Sequence, residues 1–124
     1  MNEWKQPHAT WIVGHRGAPR RARENTLDSL DFAESFGVDA VEFDVRQTRE
    51  GEPVLFHDES LVLGSQHVPV RSFTVREVEK LSLPSEFGEY RIPRLEQVFA
   101  GAPVRSFIPV LVGRGARQRL RQLV

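Results

Sequence analysis

Ala40-Val41-Glu42-Phe43-Asp44-Val45-Arg46-Gln47 alternates apolar and polar residues with a period of two, the pattern of a β-strand with one face in a core. Glu50-Gly51 supplies a turn, and Pro53 to His57 reads as a second strand. Too few residues separate the two strands for a parallel crossover, so an antiparallel hairpin is expected. With Glu50 and Gly51 as the loop pair, Asp44 lies opposite His57. Opposed residues share a face. Glu42, Asp44 and His57 are then expected on one side of the hairpin, and Val45, Val54 and Phe56 on the other.

Upstream of the hairpin, Thr10 to His15 reads as a short strand, and Gly17-Ala18-Pro19 with Arg20, Arg21 and Arg23 as a loop. Asn25 is a suitable N-cap for a helix over Thr26 to Phe36, with Gly37 as its stop. Leu27, Leu30, Ala33 and Phe36 form its apolar face. Downstream, Gly64 to Val70 reads as a loop, and Thr74 with Glu77 forms a capping box for a helix over Val75 to Leu81. Pro84 to Tyr90 is irregular, Arg94 to Ala100 is helical, and Val104 to Val112 is strand-like but interrupted by Pro109. The order is that of an α/β protein.

The chain has 124 residues, which bounds it to one domain, and carries 17 basic against 17 acidic residues. A net charge of zero provides no field toward nucleic acid or anionic membrane. Without cysteine there is no disulfide scaffold, zinc-thiolate site or thiol nucleophile. No stretch is apolar for long enough to span a bilayer, and the amino terminus lacks the apolar core of a signal peptide, so a cytoplasmic chain is expected. The charge is split: Met1 to Glu96 holds 12 basic and 17 acidic residues, whereas Gln97 to Val124 holds 5 Arg and no acid. The division expected is an extension over residues 1–9, one domain over 10–112 and an Arg-rich tail over 113–124.

Glu42 and Asp44, two positions apart on one strand, project side by side, and a divalent cation with oxygen ligands offsets their repulsion. Taken singly, they also fit a solvated strand face, and His15-Arg16-Gly17 and His57-Asp58 fit ordinary turns. Taken together, a metal site, two histidines and an arginine at strand ends suit phosphodiester chemistry. A cation polarises phosphoryl oxygens, Arg16 can grip phosphate bidentately, and two imidazoles serve as base and acid.

His15-Arg16-Gly17-Ala18, Glu24-Asn25-Thr26-Leu27, Gly37 to Val45 and Thr48 to Asp58 together resemble the glycerophosphodiester phosphodiesterase family, and Ile92 to Val98 resembles the family's entry into its next helix. The resemblance runs from about Thr10 to Phe99. It implies a TIM-like α/β barrel that hydrolyses a glycerophosphodiester to glycerol 3-phosphate and an alcohol, with Mg²⁺ or Ca²⁺ as cofactor. It further implies His15 and His57 as the acid/base pair, Arg16 and Glu24 on the substrate side, and Glu42 and Asp44 as metal ligands.

Two stretches depart from the family pattern. The segment from Leu61 to Leu83 stands in place of the family's insertion, and Pro109 and Leu111 fall about where a strand with a third acidic ligand and a lysine is expected. A barrel takes about 250 residues, so this chain is expected to build only the first part of one, to leave an open sheet edge that favours self-association, and to have little activity by itself. Two other readings stand beside the hydrolase: a related phospholipid phosphodiesterase, and a non-catalytic remnant or binding module.

Overall fold

A computed structural model describes residues 10–100 in full and the backbone of a strand over 106–111. The extension over 1–9 and the Arg-rich tail over 113–124 lie outside the described residues. Strand β1 (Val13–His15) leads through a loop into helix α1 (Leu27–Ser35), which returns the chain to β2 (Ala40–Gln47). β1 and β2 are parallel, so this is a βαβ unit, with Val13 beside Ala40 and His15 beside Glu42. Antiparallel β3 (Pro53–Leu55) follows. The hairpin β4 (Ser60–Leu63) and β5 (Gln66–Pro69) and helix α2 (Val75–Lys80) come next. Helix α3 (Leu95–Ala100) and strand β6 (Ser106–Leu111) complete the described elements.

β6 lies parallel to β2. Since β1 and β6 both pair with Ala40 to Glu42, they occupy opposite edges of β2. The expected interruption at Pro109 does not occur: the strand runs through it, with Pro109 beside Phe43. Proline is tolerated in a strand where its missing donor does not face a partner. The register sets Ile108 beside Glu42 and Val110 beside Asp44.

The hairpin forms as expected, but its register differs by one residue. Val45 pairs with Leu55, Arg46 with Val54 and Gln47 with Pro53, which sets Asp44 against Phe56 instead of His57. The cause is the loop. Thr48 N–H donates to the Glu52 carbonyl at 2.9 Å, so Arg49, Glu50 and Gly51 form a three-residue loop, with Gly51 at φ +85°. A one-residue slip exchanges faces. Val45 and Leu55 therefore pack on Leu30, Ala33, Phe43, Leu95 and Val98 under the helices. Val54 and Phe56 belong to a second cluster with Leu61, Val70, Val78, Leu83 and Ile92. β3 ends at Leu55, so His57 is beyond the strand and its position is not set by the ladder.

Other boundaries follow local chemistry. Thr26, rather than Asn25, caps α1, its Oγ1 accepting from Ser29 N at 3.2 Å. Leu30 and Ala33 are buried as expected, but Phe36 is exposed, with Arg21 over its ring. The Thr74–Glu77 capping box is present at the start of α2. The segment read as a loop over Gly64 to Val70 includes β5, turned back on β4 through Gly64-Ser65. Among the described residues, no helix is long and apolar enough to cross a membrane.

Candidate functional site

The parallel register brings His15, at the end of β1, beside Glu42. His15 Nδ1 lies 2.6 Å from Glu42 Oε2, and the histidine side chain is 65% exposed. A carboxylate only accepts, so Nδ1 carries the proton and donates. In the neutral ring that leaves Nε2 with a lone pair.

Arg16 turns the chain sharply, at φ +56°. Its guanidinium Nε is 3.0 Å from Asp44 Oδ2, and Nη1 lies 3.3 Å from Glu24 Oε2. Asp44 is a buried carboxylate, 6% exposed, and such a charge requires partners. Arg16 is one and Asn25 the other. Asn25 Nδ2 donates to Asp44 Oδ2 at 3.0 Å, and Asn25 Oδ1 accepts from the Asp44 backbone N–H at 3.0 Å. The backbone N–H of Asn25 in turn donates to the Arg16 carbonyl at 3.1 Å. His15, Arg16, Glu24, Asn25, Glu42 and Asp44 thus converge where the carboxyl end of β1 meets the middle of β2.

The loop that carries Arg16 is clamped from below by Ser29. Ser29 Oγ donates to the Arg16 carbonyl at 3.1 Å and accepts from Ala18 N–H at 2.8 Å. Gly17, at φ +90°, passes so close that a Cβ there would lie 2.4 Å from Ser29 Oγ and 2.6 Å from the Ser29 carbonyl carbon. Only glycine fits the position.

His57 stands apart. Its side chain is 45% exposed, its Nδ1 lies 2.7 Å from Asp58 Oδ1, and its carbonyl accepts from Arg46 Nη2 at 2.7 Å. Among the described residues, no hydrogen bond or ion pair joins it to Asp44 or to His15. The expected sharing of a face with Asp44 is therefore corrected, for the register reason given above.

The fit to a divalent cation is partial. Glu42 Oε1 is buried with no hydrogen-bond partner, a lone pair site that a cation would satisfy. Asp44 offers its carboxylate nearby on the same strand face, although Oδ2 is shared with Arg16 and Asn25. Among the described residues, no group of three or more His, Asp or Glu is placed to hold a metal. Hard-cation chemistry suits the two carboxylates, which make up part of a ligand set.

Sequence reasoning missed Asn25 and Ser29 as site-building residues. Asn25 has φ +59°, a conformation that asparagine tolerates better than most residues, and this rather than capping explains its place. Replacing Asn25 with Ala is expected to destabilise the chain by about 1–3 kcal/mol, since it strands a buried N–H and one carboxylate bond. Denaturant unfolding checks this, with Asp28→Ala as an exposed-helix reference; equal midpoints for the two variants would contradict the role.

Residues 15–108 match the model of the glycerophosphoryl diester phosphodiesterase family. The chain is 36% identical over 95 residues to the glycerophosphodiester phosphodiesterase of Caldanaerobacter subterraneus, a match covering 73% of this chain and 39% of that protein. It superposes on the crystal structure of the glycerophosphodiester phosphodiesterase from Thermotoga maritima with a TM-score of 0.78 at 32% identity, covering 94% of this chain and 50% of that one. A glycerophosphoryl diester phosphodiesterase domain from Mycobacterium tuberculosis gives a TM-score of 0.79 at 27% identity, covering 91% and 47%. The chain therefore spans half or less of the length of these relatives, and its β-strands and helices form part of their TIM-barrel α/β fold. By its matched residues and by its fold, this chain belongs to the glycerophosphoryl diester phosphodiesterase family.

Proposed function

We propose that the chain carries the phosphate-facing and metal-facing part of a site that hydrolyses glycerophosphodiesters to glycerol 3-phosphate and an alcohol. The observation that carries the proposal is the pinning of Arg16 by buried Asp44, immediately beside a His15 held on Glu42. In this reading Arg16 binds the phosphodiester anion, and Glu24 steadies the guanidinium from its other side. A water attacks phosphorus, one imidazole takes its proton, and the P–O bond to the leaving alcohol breaks. The other imidazole gives a proton to the departing alkoxide, so that one water is consumed and glycerol 3-phosphate and the alcohol are released. His15, with Nε2 free of its Glu42 bond, and His57 are the candidates for these two steps. A divalent cation, Mg²⁺ or Ca²⁺, would be held by Glu42 and Asp44 and would supply positive charge for the phosphoryl oxygens.

A second reading, a binding module without turnover, is favoured by one observation. Ile108 and Val110 neighbour Glu42 and Asp44 in the sheet, and residues 97–124 contain no acid, so no further carboxylate ligand comes from that stretch.

Calorimetric titration with Ca²⁺ and Mg²⁺ is expected to show weak binding, water supplying most of about six ligands, and to lose its heat in Glu42→Gln; equal heats reject the metal site. Release of glycerol 3-phosphate from glycerophosphocholine, with and without chelator, is the companion assay. Turnover is expected to be low in this chain and to fall a further 10²–10⁴-fold or so in His15→Ala. Release that ignores both chelator and His15→Ala rejects the hydrolase proposal, and cation binding without release selects the binding module. Among the described residues β1 and β6 each pair with β2 alone, so self-association through an unpaired edge belongs to the same proposal. Size-exclusion chromatography is expected to give species larger than a monomer, and a monodisperse monomer at high concentration contradicts it.

A further inference from the structure

The ladder between β2 and β3 stops just short of His57. Phe56 N–H donates to the Asp44 carbonyl at 3.1 Å. In a hydrogen-bonded antiparallel pair the Asp44 N–H would return a bond to Phe56, but it donates to Asn25 Oδ1 at 3.0 Å instead. The residue that pins Asp44 thereby also ends the ladder, and His57 follows in a bend with its side chain 45% exposed.

A side chain takes over where the ladder ends. Arg46 stands opposite Val54 on the hairpin. Its guanidinium reaches past that partner to the His57 carbonyl, with Nε at 3.0 Å and Nη2 at 2.7 Å. Both bonds are charge-assisted and meet on one oxygen, so a planar fork fixes that peptide in direction as well as distance. The ring is held separately. His57 Nδ1 donates to Asp58 Oδ1 at 2.7 Å, which leaves a lone pair on Nε2 of the neutral imidazole. Asp58 is 68% exposed and belongs to the same bend, so it sets the tautomer but travels with His57. Among the described residues, the bonds from Arg46 are those that tie His57 itself to the strand bearing Glu42 and Asp44.

We infer that Arg46 is a positioning residue, which fixes the His57 imidazole relative to the phosphate-binding Arg16. The inference rests on the phosphodiesterase reading, in which His57 is one of the two proton-transfer groups. Misplacing such a group slows the chemical step far more than it weakens binding of the anion. Arg46 therefore acts on proton transfer and leaves the grip of Arg16 alone.

NMR of the isotope-labelled full chain tests this. In the parent, a scalar coupling across the hydrogen bond is expected between Arg46 Nε and the His57 carbonyl carbon. Its absence overturns the hold whatever any variant does. In Arg46→Ala the order parameter of the His57 amide is expected to fall below about 0.6, with that of His15 unchanged, and Arg46→Lys is expected to recover part of the loss. Titration with glycerol 3-phosphate in the presence of Ca²⁺ then separates positioning from a merely structural tie. The parent is expected to respond at both the Arg16 guanidinium and the His57 ring. Arg46→Ala is expected to keep the Arg16 response, with Kd within about twofold of the parent, and to lose the response of the His57 ring. Arg46→Gln, which keeps much of the stem but not the charged fork, repeats the comparison if Arg46→Ala does not fold. An unchanged His57 order parameter, or an unchanged ring response, overturns the inference and leaves the phosphodiesterase reading intact. No Arg16 response in the parent overturns that reading and the role of Arg46 in it.

Discussion

The organisation of the site depends on one buried carboxylate. Asp44 sits in the middle of β2 with its side chain almost wholly removed from water. An unpaired charge there would cost several kcal/mol, roughly, so the chain must bring partners to it. Arg16 and Asn25 come from the loop between β1 and α1, 28 and 19 positions earlier in sequence. Meeting Asp44 fixes the path of that loop, which requires positive φ at Arg16, Gly17 and Asn25 in close succession. Ser29 and the tight approach of Gly17 hold it against α1. The same requirement that satisfies a buried acid thus presents a guanidinium beside an exposed imidazole, the pair proposed to meet a phosphodiester anion.

Much of this was legible in the chain. The strict alternation of Ala40 to Gln47 made β2 and its acidic face readable, because successive side chains of a strand point to opposite faces; the burial of Asp44 on the acidic face was not part of that pattern. The grouping of His15 and Arg16 with Glu42 and Asp44 was implied by the family resemblance, and the parallel pairing of β1 with β2 sets His15 beside Glu42. What failed was register. Whether Gly51 closes a two-residue or a three-residue loop is a matter of one backbone hydrogen bond, Thr48 N–H to the Glu52 carbonyl, and composition does not specify it. That single bond moves Phe56 into the place expected for His57. Asn25 was misread for a related reason. Asparagine suits both an N-cap and a left-handed turn, and only the position of Asp44 in space distinguishes the two. The β4–β5 hairpin was missed because its strands are four residues each and only Leu61 among them is buried, with no alternation strong enough to mark them.

The two faces of the hairpin serve different neighbours. Val41, Phe43, Val45 and Leu55 form the contact with α1 and α3. Val54 and Phe56 pack with Leu61, Val70, Val78, Leu83 and Ile92 from the segment that follows the hairpin. The residues after Leu83 bring Phe87, Tyr90 and Arg91 to a cavity beside Arg23.

The most direct test of the central claim is ³¹P NMR of glycerol 3-phosphate titrated with the chain in the presence of Ca²⁺. Arg16, pinned by Asp44, is predicted to bind the phosphate monoester, so the signal should broaden and shift saturably with the parent chain and show no response with Arg16→Ala. An unchanged response in a folded Arg16→Ala chain, or no response in the parent, would contradict the assignment of this site to phosphoester chemistry.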